Sequence, residues 1–510
     1  MAECRRRSKD IYSVAGAVVH LNEYGSEMSK DSFNAYFRTA ISSVKRLQSV
    51  SHPVRSSDRT KSANYFRKYG LPPSIPMGHG GSVFTTKAGL LAIRNIGKVW
   101  RANHPESKVY ISADRAGALA VDVFGQALAM GMSKSRTLKD AQAIFFDLFE
   151  KHVDSLRHDL HHHFPCHLFE DVEIGFFSIG PVEFRTRLKW LELATSASEG
   201  KITWTEDVRR FWEFGTPIPD SAGPASLSAR IVADGVGSCP WIASVFIRRQ
   251  ESSRSKERAN IAARLAIDAL GASLRRDVAA RLRGPGDELR PTLVTIITQR
   301  QGYDFIPGTR LDLPRIGGAP GFARDLLKNI QPYLKAAGES IEVIIHSDSN
   351  SVRNKLKQRW CDALYWFGEA RRDTADFTAL VRYGIALDIL AKGGKGRGIK
   401  ALLAALFERA LSAKFLSDGT SLAKAVDELY NTGRSQLAHG GRPALVQDLP
   451  FQPAVADLIA SEALITYALC LNAYTGDDEY EDFFAALPGI VASLPRPKRQ
   501  RKSRAKRAST

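Results

Sequence analysis

From Asn350 to Tyr474 the apolar residues recur at three- and four-residue spacing, with no run of alternating period. That pattern restricts the C-terminal part to helices packed on helices. Gly, Pro and Asp punctuation cuts it into five segments: Val352–Ala370, Asp376–Leu390, Ile399–Lys414, Leu422–Ala438 and Ala454–Tyr474. The second and fifth are apolar on most faces, as central helices of a bundle must be. Upstream the period changes. Val172–Phe184, Trp241–Ile247, Leu293–Thr298 and Ile341–His346 are short runs rich in β-branched and aromatic residues, which predicts strands. A helix with repeated apolar positions from Ile261 to Leu282 stands between the second and third runs. Residues 1–163 read as mainly helical, with periodic stretches at Ser32–Leu47 and Thr137–Leu160 around a Pro/Gly-rich surface loop, Leu71–Gly81.

The fold class expected is therefore multidomain α+β. It comprises a helical N-terminal region (1–163), a central α/β region with short strands (164–348), an all-α bundle (351–480) and a disordered basic tail (495–510). A length of 510 residues suits about three domains. With 44% apolar and 25% charged residues, the chain is neither wholly disordered nor collagenous. Its net charge is +18, of which eight positive charges fall between Arg496 and Thr510, leaving +10 on the body. Such a surface attracts polyanions, nucleic acid above all.

Five scattered cysteines without a C-x-x-C pair indicate neither a disulfide framework nor a zinc ribbon, and fit a reducing cytoplasm. The basic N-terminus and the Tyr12–Leu21 stretch lack a clear cleavage site for secretion. Leu458–Tyr474 is interrupted by Glu462 and short for a bilayer, so no membrane span is expected.

The fourth bundle segment ends in YNTGRSQLAHGG, with Arg434 and His439 separated by four residues and Gly440 as a helix stop. A second pair with this spacing, Arg157 and His162, precedes Phe164, Pro165 and strand-like sequence, so the bundle context favours Arg434 and His439. This setting, with the apolar second helix LVRYGIALDIL, resembles the Apea-like HEPN domain family over roughly residues 351–480. The resemblance implies a metal-independent endoribonuclease that works as a homodimer, without a cofactor, often in toxins or antiphage defence. It assigns His439 as acid/base and Arg434 as phosphate clamp. Ser435 departs from the Asn, Asp or His usual at that position, which keeps open a non-cleaving HEPN module that holds RNA or a nucleotide.

The chemistry is self-consistent. RNA supplies its own 2′-hydroxyl nucleophile, His titrates near neutrality, and Arg offers a permanently charged fork to phosphate. Residues five apart on a regular helix differ by roughly 140° in direction, so the pair needs the helix to unwind after Leu437, which Gly440 and Gly441 would permit, or a second copy of the chain.

Supporting candidates are Asp388, a carboxylate in an apolar helix that could orient the pair or bind Arg382 or Lys392, and Ser435. RNA-contact candidates are Lys395, Arg397 and Lys400 in the loop KGGKGRGIK, which lacks the P-loop pattern, and Arg67 and Lys68 in a basic-aromatic stretch. Six histidines (His152, His158, His161, His162, His163, His167) with Cys166 offer zinc-type donors, but their spacing matches no closed site and no metal is expected. Nothing in the first two-thirds names a trigger, although sensing or restraint is the role left for it.

Overall fold

The computed structural model describes residues 30–51, 72–78, 81–132, 137–197, 204–220, 223–287, 293–300, 304–311, 316–345, 352–416, 418–430 and 452–495. Among them the chain is mostly helical, with a small sheet region in the middle. It divides into two compact units, residues 1–158 with 249–254, and residues 159–248 with 255–510.

The first unit holds helices α1 (Lys30–Ser51), α2 (Lys87–Asn103), α3 (Ser107–Tyr110), α4 (Ala113–Ala129) and α5 (Leu138–Ser155). Phe37, Ile93, Ile96, Phe124, Phe145 and Phe149 form its core. Thr86, Ser112 and Thr137 cap the starts of α2, α4 and α5, and Thr137 with Asp140 completes a capping box. Within the expected surface loop Leu71–Gly81, residues Ser74–Pro76 are instead a strand. Strand β1 (Ser74–Pro76) pairs antiparallel with β2 (Ser82–Phe84), and Ile75, opposite Val83, is fully buried.

The second unit contains β3 (His158–Cys166), the hairpin β4 (Phe176–Ile179) and β5 (Val182–Thr186), helices α6 (Arg187–Ala197), α7 (Thr205–Phe214) and α8 (Pro224–Val236), and β6 (Trp241–Gln250). The sheet order is β3-β6-β5-β4. Helix α9 (Ser252–Ala272), the short turn α10 (Arg276–Ala279), the antiparallel hairpin β7 (Leu293–Arg300) with β8 (Asp304–Leu311), and α11 (Phe322–Ile345) follow.

Three expectations are corrected here. Ile341–Ile345 is the last turn of α11 rather than a strand, because Ala337, Ile341 and Ile345 are buried together at four-residue spacing. The helix expected through Leu282 stops at Ala272, where Leu274 N–H turns back to the Gly271 carbonyl at 2.8 Å. The Thr137–Leu160 helix ends at Ser155, and the histidine-rich segment after it is a strand containing Pro165, which a helix interior would not accept.

The bundle consists of α12 (Asn354–Arg372), α13 (Asp376–Leu390), α14 (Lys395–Leu406), α15 (Leu422–Asp427), α16 (Pro453–Ala473) and α17 (Tyr480–Ser493). Helix α17 was not anticipated. Phe483 and Leu487 bury it against the bundle. The bundle and the central region share one continuous hydrophobic core, running from Cys166 through Trp241 and Trp360 to Leu487. Helix α16 has the length and apolarity to cross a membrane, yet 61% of its most apolar window is buried inside the protein.

Candidate functional site

The turn between α13 and α14 explains the buried carboxylate. Asp388 is only 9% exposed, and the two cations foreseen as its stabilising partners each pair with another acid. Arg382 pairs with Asp373 at 3.1 Å, and Lys392 with Glu481 at 2.5 Å. The Asp388 Oδ1 instead accepts the Lys395 backbone N–H at 2.8 Å. The Gly394 N–H donates to the Ala391 carbonyl at 3.1 Å, and Lys395, at φ 53°, turns its own N–H to the Asp388 side chain. Gly393, at φ 74°, donates its N–H to the Asp388 carbonyl at 2.8 Å. From Lys395 onward the glycine-rich segment is therefore the start of α14 rather than a loop, held by the Asp388 side chain.

That helix start also touches the beginning of the motif segment. Lys400 Nζ lies 2.7 Å from Asp427 Oδ2 at the end of α15, so its charge is already paired. After Asp427 the helix widens through Tyr430, a local geometry often found at functional positions. The Tyr430 ring packs over Gly396, where a Cβ would sit 3.4 Å from the ring. Lys395 and Arg397 remain exposed beside it. The structure thus brings Asp388, Lys395, Arg397 and Lys400 together around one helix start. Arg434, Ser435 and His439 fall within 431–451, and Arg67 and Lys68 within 52–71, both outside the described residues.

The alternative arginine–histidine pair is committed elsewhere. The Arg157 guanidinium is 3.1 Å from Asp154 and lies 4.2 Å over the Tyr110 ring. His162 Nε2 is 2.7 Å from Ser255 Oγ.

The other histidines have separate partners too. His152 Nδ1 reaches the Leu148 carbonyl at 2.9 Å within α5. His163 Nδ1 accepts the Trp190 indole N–H at 3.1 Å and is 2.9 Å from Ser244 Oγ. Desolvation, with His161, His162 and Arg185 adding repulsion, pulls its pKa down to about 4, so the ring is neutral at physiological pH. His167 Nε2 is 3.3 Å from Cys239 Sγ. Burial pushes that thiol up to about 11 despite the nearby Arg187, which leaves it protonated and unreactive at neutral pH. Among the described residues no group of three or more His, Cys, Asp or Glu side chains could hold a metal ion.

Sequence reasoning missed a buried ionic layer. Arg371 forks onto Asp457 at 2.6 and 2.8 Å, and Tyr383 donates to the same carboxylate at 2.9 Å. Arg372 forks onto Asp268 at 2.6 and 3.1 Å. Gly368 makes room for it, since a Cβ there would lie 2.0 Å from the Asp268 carboxylate. The signal was available: Asp268 and Asp457 are acids set in apolar stretches, LAIDAL and AVADLIA, as Asp388 is in ALDIL. These contacts brace α9, α12, α13 and α16 and leave no carboxylate for chemistry. No family model, curated protein or solved structure matches the chain.

Proposed function

We propose that the protein is a metal-independent endoribonuclease of HEPN type, acting as a homodimer on RNA in the cytoplasm, in a toxin or antiphage-defence role. In this reading His439 moves protons between the 2′-hydroxyl and the leaving 5′-oxygen, while Arg434 neutralises the phosphate. The N-terminal unit senses a trigger or restrains the nuclease.

One observation supports the reading: the described part of the motif segment ends at Tyr430, which packs on Gly396 beside the exposed Lys395 and Arg397. In this reading Lys395 and Arg397 add backbone contacts without base preference to the phosphodiester that Arg434 holds. Asp388 sets the orientation of that helix start through the Lys395 N–H and does not touch RNA.

Incubating the purified chain with total RNA in EDTA tests this. Cleavage leaving 2′,3′-cyclic phosphate ends is expected, with about 10²–10⁴-fold loss in His439→Ala. Undiminished cleavage by that variant would remove the assignment. RNA binding without cleavage by the wild type would replace it with the non-cleaving module.

A further inference from the structure

The four-stranded sheet has one face in the core and one outside it. Register puts Phe177, Phe184, Ala243 and Val245 on the inner face, and Phe176, Arg185, Ser178, Glu183, Ser244 and Phe246 on the other. Helices α6 to α8 cover the Ile242 end of that outer face through Trp190 and Trp212. The remainder carries planar groups in a row. The rings of His163 and His161 are nearly parallel at 6.2 Å, His161 stacks on Phe246 at 4.5 Å, and Arg248 lies 5.6 Å over Phe246. On the sheet's other edge Phe176 is 47% exposed, with Arg185 4.7 Å over its ring.

We propose that this outer sheet face takes unpaired bases of single-stranded RNA, stacking them on His161, Phe246 and Phe176. Flat, partly exposed rings, His161 with Phe246 at one end of the face and Phe176 on the far edge level with Ile242, offer what splayed bases need, and the two guanidiniums lying on those rings add both planar contact and positive charge. Because His163 Nδ1 accepts the Trp190 N–H, the neutral ring carries its proton on Nε2, a fixed donor for a base carbonyl. The same tautomer removes Nε2 as a metal ligand. Acids share the face: Glu183 is in contact with Arg185, and Asp159 follows by strand alternation. Local charge is therefore near zero, so attachment here rests on stacking and depends weakly on salt, unlike a phosphate-driven contact. A duplex, whose bases are already stacked on one another, has little to offer this surface. The inference does not depend on Arg434 or His439.

The test uses the full chain and a fluorescent 2′-O-methyl RNA of about 15 nucleotides, which lacks the nucleophile and so separates binding from cleavage. Anisotropy should show single-strand binding with a shallow salt slope and weaker binding of the annealed duplex. His161→Ala/Phe246→Ala should weaken the single strand at least about fivefold, and Phe176→Ala should add to the loss, with unchanged thermal midpoints as the folding check. His161→Phe, which keeps a ring, should bind as wild type does. Equal affinity for duplex and single strand, or full single-strand binding by the folded alanine variants, would overturn the proposal. So would loss of self-association alone in those variants, which would give the face to a protein partner.

Discussion

A carboxylate buried among packed helices must find a compensating partner, and three among the described residues find different ones. Asp268 takes Arg372, Asp457 takes Arg371 and Tyr383, and Asp388 takes a backbone N–H. The Arg371–Asp457 pair is the most enclosed, with both side chains 6% exposed. Arg371 also donates to the carbonyls of Gly271 and Leu274 where α9 ends, a position that favours a cation. Removing one partner strands the other in a medium that solvates it poorly. Asp457→Ala is therefore expected to cost about 3–5 kcal/mol, while an apolar replacement of both residues, Arg371→Met with Asp457→Leu, should recover most of the loss. Urea unfolding of the two variants decides the matter: a double variant no better than the single one would mean that the pair is not the source of the cost.

Close backbone approaches set the packing of elements, and glycine marks them. Gly180, in the β4–β5 turn at φ 55°, meets Gly338 in α11 so closely that a Cβ on Gly338 would lie 2.3 Å from the Gly180 nitrogen. Gly489 in α17 has nothing within 4 Å of the same position. Alanine at Gly489 should stabilise the chain by about 0.5–1 kcal/mol through the unfolded state and helix propensity. Alanine at Gly338 should instead cost about 1–3 kcal/mol, because backbone atoms have to move apart. Opposite signs in thermal melts are the expected result, and matching signs would show that the hairpin slides freely over the helix. The long bundle helices were readable because their apolar residues recur at helical period over many turns, whereas the segment expected to run to Lys414 stops at Leu406. Ile341–Ile345 was not, since five residues rich in isoleucine look alike in a strand and in the last turn of a helix. His158–Cys166 hid for the opposite reason: it lacks β-branched residues and is a strand because β6 pairs with it. At the site, the cost of burying Asp388 was visible, but its partner was not. A backbone N–H presented by a left-handed lysine leaves no mark in a list of side-chain types.

The two units each have a core, but the first is not a continuous stretch of chain. Residues 249–254 belong with residues 1–158, and what they contribute is specific. The Glu251 N–H donates to the Tyr110 carbonyl at 2.9 Å, its carboxylate is 3.7 Å from Arg115 Nε, and the side chain is 6% exposed. The Arg249 carbonyl accepts from Arg157 Nε at 3.4 Å. A fragment ending at His158 would keep every aromatic of its core and still lose these partners, leaving the Tyr110 carbonyl without its donor at a cost of about 1–3 kcal/mol. Small domains have little stability to spare, so that loss is a large fraction of the whole. Residues 1–158 expressed alone should therefore melt at lower temperature and with less cooperativity than the same fragment carrying residues 249–254 on a flexible Gly/Ser linker, as followed by circular dichroism. Identical melts for the two fragments would show that the returning segment merely passes by, and that the first unit is built from its own 158 residues.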